Sequence, residues 1–391
     1  MIRELTDYYL RWYHDRPVAI TSTRREELRR LHGIIYKCAE HLALNWKEYV
    51  PRWMPLGDKD LEILEYQSQF PFKTGTWRPD YIISEDGSLL ICEITSRFFG
   101  HGIFLSQFAE EAAGRFMARF PGAVRDSEYP ALMDYMAGMT GGRKRLFVLK
   151  SKDRSSEIRL YKDFYEKLGC EVNVLEEWEV EDRRSEWSAE GSFVISALNQ
   201  ADILSFSMDT VKAMADIGMC SDFRNIFLIH DKRFLRMWFE DGFTSRCLTD
   251  EETAFLRAHS IPTWIWGEPE ASDVMDDALR NRDGYILKPY RLGKSEGVKA
   301  GILTGRREWR RLPKDGMVIQ PFIKQRTFRT VWEGKTFDDY LCGMMLCVDD
   351  RFFGSGLFRT SSLPVTNLGD DRKACPLNTD DPELLKYCDI L

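Results

Sequence analysis

The spacing of apolar positions near the start of the chain indicates helical structure. Apolar side chains recur three or four residues apart and would share one helical face: Leu28, Leu31, Ile35, Cys38 and Leu42. Thr23 and Glu26 stand just before this face with the spacing of a capping box, which predicts where the helix begins. We therefore expect an N-terminal helical region over residues 1–76.

The pattern changes to short apolar runs after residue 76. Residues 81–83 and 89–92 flank Glu85-Asp86-Gly87, and an Asp-Gly pair between such runs is typical of a β-hairpin. Residues 104–139 again have a helical pattern. We group the hairpin and this helical stretch as a second unit, residues 77–142.

Residues 143–230 alternate between strand-like and helix-like patterns. Residues 157–168 are amphipathic and are followed by Gly169, which is a typical helix end. Five apolar runs predict strands: Leu146–Leu149, Val172–Leu175, Phe193–Ile195, Ile203–Phe206 and Ile226–Ile229. The alternation predicts a Rossmann-like subdomain with a small parallel sheet flanked by helices.

The last part of the chain, residues 231–391, has a second mixed pattern. Apolar runs separated by Gly and charged turns predict four strands: Tyr285–Leu287, Met317–Gln320, Leu341–Val348 and Phe352–Phe358. Together with the preceding region this predicts an α/β fold of mixed α+β character.

Composition narrows the class of protein. The 391 residues are 43% hydrophobic and 30% charged, which suffices for a buried core, and the net charge of -7 disfavours a general nucleic-acid surface. The nine cysteines include no CxxC pair, which argues against a zinc site and suits a reducing compartment. The charged N-terminus and the lack of an apolar run of about 18 residues predict no secretory signal and no membrane span, hence a cytoplasmic protein.

Two carboxylates on the predicted hairpin form the first candidate site. Asp80 and Glu93 would lie on adjacent antiparallel strands, and if both face the same way they repel unless a cation lies between them. Mg²⁺ suits such a place because it prefers oxygen ligands and needs few carboxylates. The alternatives are two exposed hairpin charges, or a metal-dependent nuclease of the restriction type, whose expected Lys is replaced here by Thr95.

Cationic and glycine-containing segments form the second candidate site. Lys288 ends a predicted strand and is followed by a turn in which backbone N–H groups can cradle phosphate oxygens: Gly293, Ser295, Glu296 and Gly297. Lys232 follows an apolar run, and Gln320 to Ile323 continue a strand with backbone groups suited to an adenine edge. Arg359 precedes a hydroxyl-rich segment and can bind a phosphoryl group or a carboxylate.

Taken in order, these motifs resemble the circularly permuted ATP-grasp ligases, above all the glutathionylspermidine-synthetase-like group. In that group the metal-binding strands precede the nucleotide-binding lysines. The same order occurs here over residues 77–370: Arg78-x-Asp80, Glu93-x-Thr95, His230-Asp231-Lys232, Leu287-Lys288-Pro289, Gly293-x-Ser295-Glu296-Gly297, Ile319-Gln320, Arg359 and Thr366-Asn367.

The resemblance implies a role for each of these residues. Asp80 and Glu93 would bind Mg²⁺, with Thr95 as a third ligand where the family usually has Asn. Arg78 would meet the γ-phosphate or the acyl phosphate. The resemblance further implies that Lys232 and Lys288 contact the nucleotide phosphates. Gly293 to Gly297 would form a mobile lid over them, and Gln320 to Ile323 would line the adenine pocket. The family's Glu beside the adenine has no clear match here, and no amidase domain is found.

The resemblance also implies the reaction and the division of the chain. Residues 77–142 would be the metal-binding part of a circularly permuted ATP-grasp core, and residues 231–391 its nucleotide-binding part. The expected activity is an ADP-forming carboxylate–amine ligase that uses ATP and Mg²⁺, passes through an acyl phosphate and forms an amide. The carboxylate could be an amino acid, and the acceptor a small molecule, a peptide or a carrier protein. A thiol ligase that loads a carrier protein, a PD-(D/E)xK nuclease and a degenerate nucleotide-binding protein are the alternatives.

Overall fold

The computed structural model describes residues 2–391 except 98, 101, 152–156, 221, 294 and 371. Lys294 of the predicted lid therefore lies outside the described residues. The helices in the described part are α1 (Ile2–Leu10), α2 (Ser22–Leu44), α3 (Trp46–Trp53), α4 (Asp58–Gln67), α5 (Ser106–Met117), α6 (Tyr129–Gly138), α7 (Glu157–Lys167), α8 (Arg184–Trp187), α9 (Gln200–Ser205), α10 (Met208–Asp216), α11 (Arg233–Met237), α12 (Asp241–Thr244), α13 (Asp250–Ala258), α14 (Ser272–Arg280), α15 (Arg306–Arg311) and α16 (Pro382–Leu385). None of the described helices combines the length and apolar character that crossing a membrane requires.

The strands join into four sheets within the described residues. Their bounds are β1 (Val18–Ile20), β2 (Thr76–Ile83), β3 (Leu89–Thr95), β4 (Val124–Arg125), β5 (Arg145–Lys150), β6 (Glu171–Glu176), β7 (Ser192–Ala197), β8 (Trp264–Ile265), β9 (Tyr285–Pro289), β10 (Lys299–Ala300), β11 (Met317–Pro321), β12 (Phe328–Trp332), β13 (Lys335–Val348), β14 (Arg351–Ser355), β15 (Phe358–Ser361), β16 (Arg372–Ala374), β17 (Pro376–Asn378) and β18 (Asp389–Ile390). With the helices they make a mixed α/β architecture.

Helix α2 carries the apolar face predicted from the sequence, and its five apolar positions are all buried. The predicted capping box was wrong by two residues. The cap is Thr21, which has extended backbone and whose hydroxyl accepts a hydrogen bond from the N–H of Arg24 at 3.2 Å. The N-terminal region is also not purely helical, because β1 pairs in parallel with β17 and β18 from the end of the chain.

The predicted hairpin forms the edge of the largest sheet, which has the strand order β16-β15-β13-β2-β3. Strands β2 and β3 are antiparallel, and the turn between them contains Gly87 at a φ of 86°, a left-handed conformation that glycine adopts without strain. The predicted strand over residues 352–358 is split between β14 and β15, both of which pair with β13. This sheet fixes the register of the hairpin carboxylates.

Three of the five strands predicted in residues 143–230 form a parallel sheet in the order β6-β5-β7. The other two predictions were wrong. Residues 203–206 fall largely in α9, and residues 225–229 form a turn of π-helix. A short apolar run fits a helix as well as a strand. Asn199 caps α9 by accepting from the N–H of Asp202.

The smallest apolar core stabilises a separate antiparallel sheet, β10-β9-β11-β8. Leu287 and Ile319, on paired positions of β9 and β11, pack with Trp309 of α15 and Ala278 of α14 on one side of this sheet. Alternate residues of the same strands therefore project to the opposite side. Those residues include Ile286, Lys288 and Gln320.

Candidate active site

A cleft is lined by residues of both the largest sheet and the β9–β11 sheet. The largest sheet contributes Asp80, Ile82, Cys92, Glu93, Cys342 and Arg359. The remaining wall consists of Ile261, Ile286, Lys288, Ser295, Val298, residues 320–323, Gln325 and residues 364–367.

The acidic pair occupies one wall of this cleft. Asp80 and Glu93 are direct partners in the antiparallel β2–β3 ladder, so their side chains project from the same face of the sheet. The ladder shifts register after Asp80, which is paired with Glu93 while Tyr81 is paired with Ile91. This β-bulge places Cys92 on the cleft wall beside Glu93.

Two arginines hold Asp80. Arg78 donates from Nε to Oδ1 at 2.6 Å and from Nη2 to Oδ2 at 2.8 Å, and Arg359 donates from Nη2 to Oδ2 at 3.2 Å. Burial alone would lower the pKa of Arg78, but the Asp80 carboxylate outweighs it and raises that pKa. Thr95 is not part of the cleft wall, and its hydroxyl lies 3.4 Å from Nη2 of Arg78.

Two lysines surround Glu93. Nζ of Lys232 lies 3.2 Å from Oε1 of Glu93, and Nζ of Lys288 donates to the carbonyl oxygen of Cys92 at 2.9 Å. Burial alone would raise the pKa of Glu93, but the ammonium groups of Lys232 and Lys288 outweigh it and lower the pKa to about 2. Lys288 lines the cleft, whereas Lys232 is buried directly behind Glu93.

Buried ion pairs fix the segment that carries Lys232. Asp231 accepts from Nη2 of Arg233 at 2.7 Å and lies 3.4 Å from Nε of Arg291, whose Nη1 donates to Asp60 of α4 at 2.9 Å. Burial, reinforced by nearby cations, lowers the pKa of His230 to about 3, so its ring is neutral near pH 7. The helical N-terminal region thus anchors the start of the glycine-containing loop at Arg291.

One residue of the predicted lid, Ser295, lines the cleft. Ser295 has a φ of 58°, a left-handed conformation that is uncommon outside glycine. Its Oγ accepts from Nδ2 of Asn367 at 3.2 Å, while Oδ1 of Asn367 accepts from Arg359 at 2.6 Å. Asn367 therefore connects the lid with Arg359 across the cleft.

The end of the cleft away from the carboxylates is largely apolar. Ile261, Ile286 and Ile323 line it together with Gln320, which is fully buried. Nε2 of Gln320 donates to the hydroxyl of Thr263 at 2.8 Å, whereas its Oε1 has no hydrogen-bond partner among the described residues.

The structure brings most of the predicted site residues together. Seven of them line the cleft: Asp80, Glu93, Lys288, Ser295, Gln320, Ile323 and Arg359. Arg78 and Lys232 contact the acidic pair from behind, while Thr95, Gly293, Glu296 and Gly297 are not on the cleft wall. Sequence reasoning missed Thr263, Gln325 and Arg97, whose guanidinium packs so closely against Gly293 that it leaves little room for a side chain there. These residues belong to no recognisable spacing pattern.

The donor set at the acidic pair suits a hard cation. No group of three or more His, Cys, Asp or Glu side chains in the described part of the chain is arranged to hold a metal. Two carboxylates at paired positions nevertheless match the needs of Mg²⁺, which takes few protein ligands and completes its shell with water and phosphate. The arginine and lysine contacts of Asp80 and Glu93 balance their charge in this structure.

Comparison with known proteins adds two findings. The family described as AnkG N-terminal domain matches residues 31–228, about half of the chain and including the acidic pair. The chain is also 23% identical over 421 aligned positions to a protein of Aspergillus thermomutatus named ATP-grasp enzyme ankG, with 92% of this chain and 87% of that protein covered. The mixed α/β architecture with several sheets is consistent with such a relative. The chain belongs to the AnkG N-terminal domain family.

Proposed function

We propose that this protein is an ATP-grasp ligase that uses ATP to activate a carboxylate as an acyl phosphate and joins it to an amine. The observation that carries the proposal is that Asp80, Glu93 and Lys288 line one cleft. The likeness to a protein named ATP-grasp enzyme supports it independently.

The proposed nucleotide orientation follows from the polarity of the cleft. The base would lie in the apolar end, between Ile286 and Ile323 and beside Gln320. The phosphates would lie toward Lys288 and the acidic pair. Asp80 and Glu93 would hold Mg²⁺, which neutralises phosphate charge in phosphoryl transfer.

The protein's own contribution would be positioning and charge stabilisation. A substrate carboxylate oxygen attacks the γ-phosphorus, ADP leaves, and the amine nitrogen then attacks the acyl carbon so that phosphate leaves and the amine loses a proton. Arg359 on the cleft wall would stabilise the negative charge that develops, and Arg78 would support it from behind Asp80, to which both arginines already donate. The Ser295–Asn367 contact would keep the lid closed and limit hydrolysis of the acyl phosphate.

The finer family assignment is also a proposal. We propose a circularly permuted ATP-grasp fold of the glutathionylspermidine-synthetase-like type, based on motif order. In this scheme residues 1–76 are the helical region, 77–142 the metal-binding part, 143–230 the Rossmann-like subdomain and 231–391 the nucleotide-binding part. The N-terminal region shares ion pairs with the loop that starts at Arg291, which supports treating it as part of the working enzyme.

The alternatives use less of the cleft. A nuclease of the restriction type would use Asp80 and Glu93, but Thr95 replaces its Lys and the Thr263–Gln320 pair would have no role. A protein that binds nucleotide without catalysis would not need Arg78 and Arg359 at the phosphate end. A thiol acceptor on a carrier protein would use the same activation step, so it differs only in the second half-reaction.

The proposal is tested by trapping the activated carboxylate. Purified protein is incubated with ATP, Mg²⁺, pools of amino acids as carboxylates and hydroxylamine as a generic amine. The expected result is ADP release and hydroxamate formation that depend on a particular pool, and transfer of ¹⁸O from the labelled carboxylate to phosphate. Glu93→Gln should abolish both signals while the variant stays folded. ADP release that is unchanged in Glu93→Gln would contradict the proposal.

A further inference from the structure

The side-chain amide of Gln320 is held in one orientation by a directional pair of hydrogen bonds. The hydroxyl of Thr263 donates its own proton to the carbonyl oxygen of Ile261 at 3.0 Å. It must therefore accept from Gln320, whose Nε2 lies 2.8 Å away. Thr263 and Gln320 are 2% and 0% exposed, so water does not compete with this arrangement.

The consequence is that the amide oxygen of Gln320 remains as the free polar atom of a side chain on the cleft wall. This Oε1 is buried and has no hydrogen-bond partner among the described residues. A buried acceptor without a donor is unfavourable, and a ligand that supplies an N–H at this point removes that cost. A ligand that places a second acceptor next to Oε1 leaves Oε1 without a donor and adds electrostatic repulsion between the two acceptors.

A second glutamine on the cleft wall has the same character. Nε2 of Gln325 donates to the carbonyl oxygen of Pro364 at 2.9 Å, and its Oε1 also has no partner among the residues described. The cleft wall also carries apolar side chains, among them Ile261 and Ile286. Both amides thus leave an acceptor, and not a donor, for a ligand.

We propose that Thr263 sets the nucleobase specificity of the cleft by fixing Gln320 as an acceptor, so that a purine with a 6-amino group is bound and a purine with a 6-oxo group is rejected. The inference rests on the proposed function and names a positioning residue outside the motifs that support that function. The 6-amino group of adenine donates a hydrogen bond, whereas the 6-oxo group of hypoxanthine or guanine accepts one. The fixed amide of Gln320 distinguishes these two.

The test compares ATP with inosine triphosphate, which differs at the 6-position and at N1. Binding of each to the full chain is measured by calorimetry with Mg²⁺ present, for wild type, Thr263→Val and Thr263→Ser. Wild type should bind inosine triphosphate roughly 10- to 100-fold more weakly than ATP, the range expected when a buried acceptor faces an acceptor. Thr263→Val frees the amide to turn, so the ratio should fall to about threefold or less, and Thr263→Ser should restore it.

The outcomes separate this inference from the function on which it rests. If wild type binds neither nucleotide, both fail. If it binds ATP and inosine triphosphate equally, the specificity proposal fails and the nucleotide site stands. If Thr263→Val keeps the wild-type ratio, Thr263 does not orient Gln320. If Thr263→Val does not fold, Gln320→Met is the second variant, because it keeps the bulk of the side chain but has no acceptor. A wild-type ratio of ATP to inosine triphosphate affinity in Gln320→Met also overturns the proposal.

Discussion

The ammonium group of Lys232 lies 3.2 Å from Oε1 of Glu93 and donates to the carbonyl oxygen of Leu292 at 2.6 Å. One buried cation therefore joins Glu93 on β3 to the start of the glycine-containing loop. Because Lys232 contacts both Glu93 and the carbonyl oxygen of Leu292, we expect the charge state of Glu93 to affect the position of the lid.

Replacing Lys232 should disturb both the charge of Glu93 and the lid. In Lys232→Met the pKa of Glu93 should rise from about 2, because the nearest opposing charge is lost while burial remains. We expect a loss of about 3 kcal/mol in the free energy of unfolding, as is common when one partner of a buried pair is removed. Urea denaturation measures this loss. Lys37→Met, which breaks the exposed pair with Glu252, is the control and should change stability by less than about 1 kcal/mol.

Removing the lysine on the cleft wall should affect catalysis more than folding. Lys288→Met should reduce ATP-dependent turnover by roughly 100-fold or more, since a fixed cation that stabilises phosphoryl charge is lost. Steady-state ADP release measures the effect, with the melting temperature recorded alongside. Lys299→Met is the matched control, because Lys299 lies on the neighbouring strand β10 and its Nζ pairs with Glu308 outside the cleft. Equal activities of the two variants would contradict the assignment of Lys288.

The contact between Asn367 and Ser295 should act as a latch on the lid. Asn367→Ala removes the hydrogen bonds to Ser295 and from Arg359, so we expect kcat/KM for ATP to fall roughly tenfold. Asn367 is exposed, and stability should therefore be unchanged. Leu368→Ala at the adjacent exposed position is the control. Wild-type kinetics in Asn367→Ala would show that the contact has no part in closure.

Glu157 should make stability decline as the pH rises toward neutrality. Burial raises the pKa of Glu157 to about 7, even though the N–H groups of Gly102 and Phe104 donate to it at 3.0 and 3.2 Å. Because the folded-state pKa exceeds the unfolded value of about 4.3, its contribution is fully present below pH 4.3 and is lost as the pH rises through about 7. The loss amounts to about 3 kcal/mol.

Denaturation of wild type and Glu157→Gln between pH 4 and 8 checks this expectation. The neutral amide cannot titrate, so the difference in the free energy of unfolding between the two proteins should change by about 3 kcal/mol across this range. A difference that stays constant with pH would show that Glu157 titrates normally.

The sequence predicted the acidic pair well because a hairpin is a local structure. The Asp86-Gly87 turn sets the pairing of β2 and β3, and the pairing places Asp80 beside Glu93. The helical face of α2 was also predictable, since its apolar spacing reports directly on burial. In each case the sequence pattern and the structure that it predicts involve residues that are close together in the chain.

Other features depended on information that the local pattern does not contain. The apolar run at 226–229 is buried throughout, and the run at 203–206 is too short to show the period that separates helix from strand. A local signal did exist for α9, because Asn199 and Asp202 form a capping box. Thr263 could not be found from spacing, because its partner Gln320 is distant in the chain and only the tertiary fold brings the two together.

The central claim is that the acidic pair and Lys288 share one nucleotide site, and metal-dependent nucleotide binding tests it most directly. A non-hydrolysable imido analogue of ATP is titrated into wild type and Glu93→Gln, with Mg²⁺ and with EDTA. Wild type should bind one analogue per chain and gain roughly tenfold or more in affinity from Mg²⁺, and Glu93→Gln should lose most of that gain, as expected when a charged contact is removed. Absence of saturable binding to wild type, or an equal effect of Mg²⁺ on both proteins, would contradict the account.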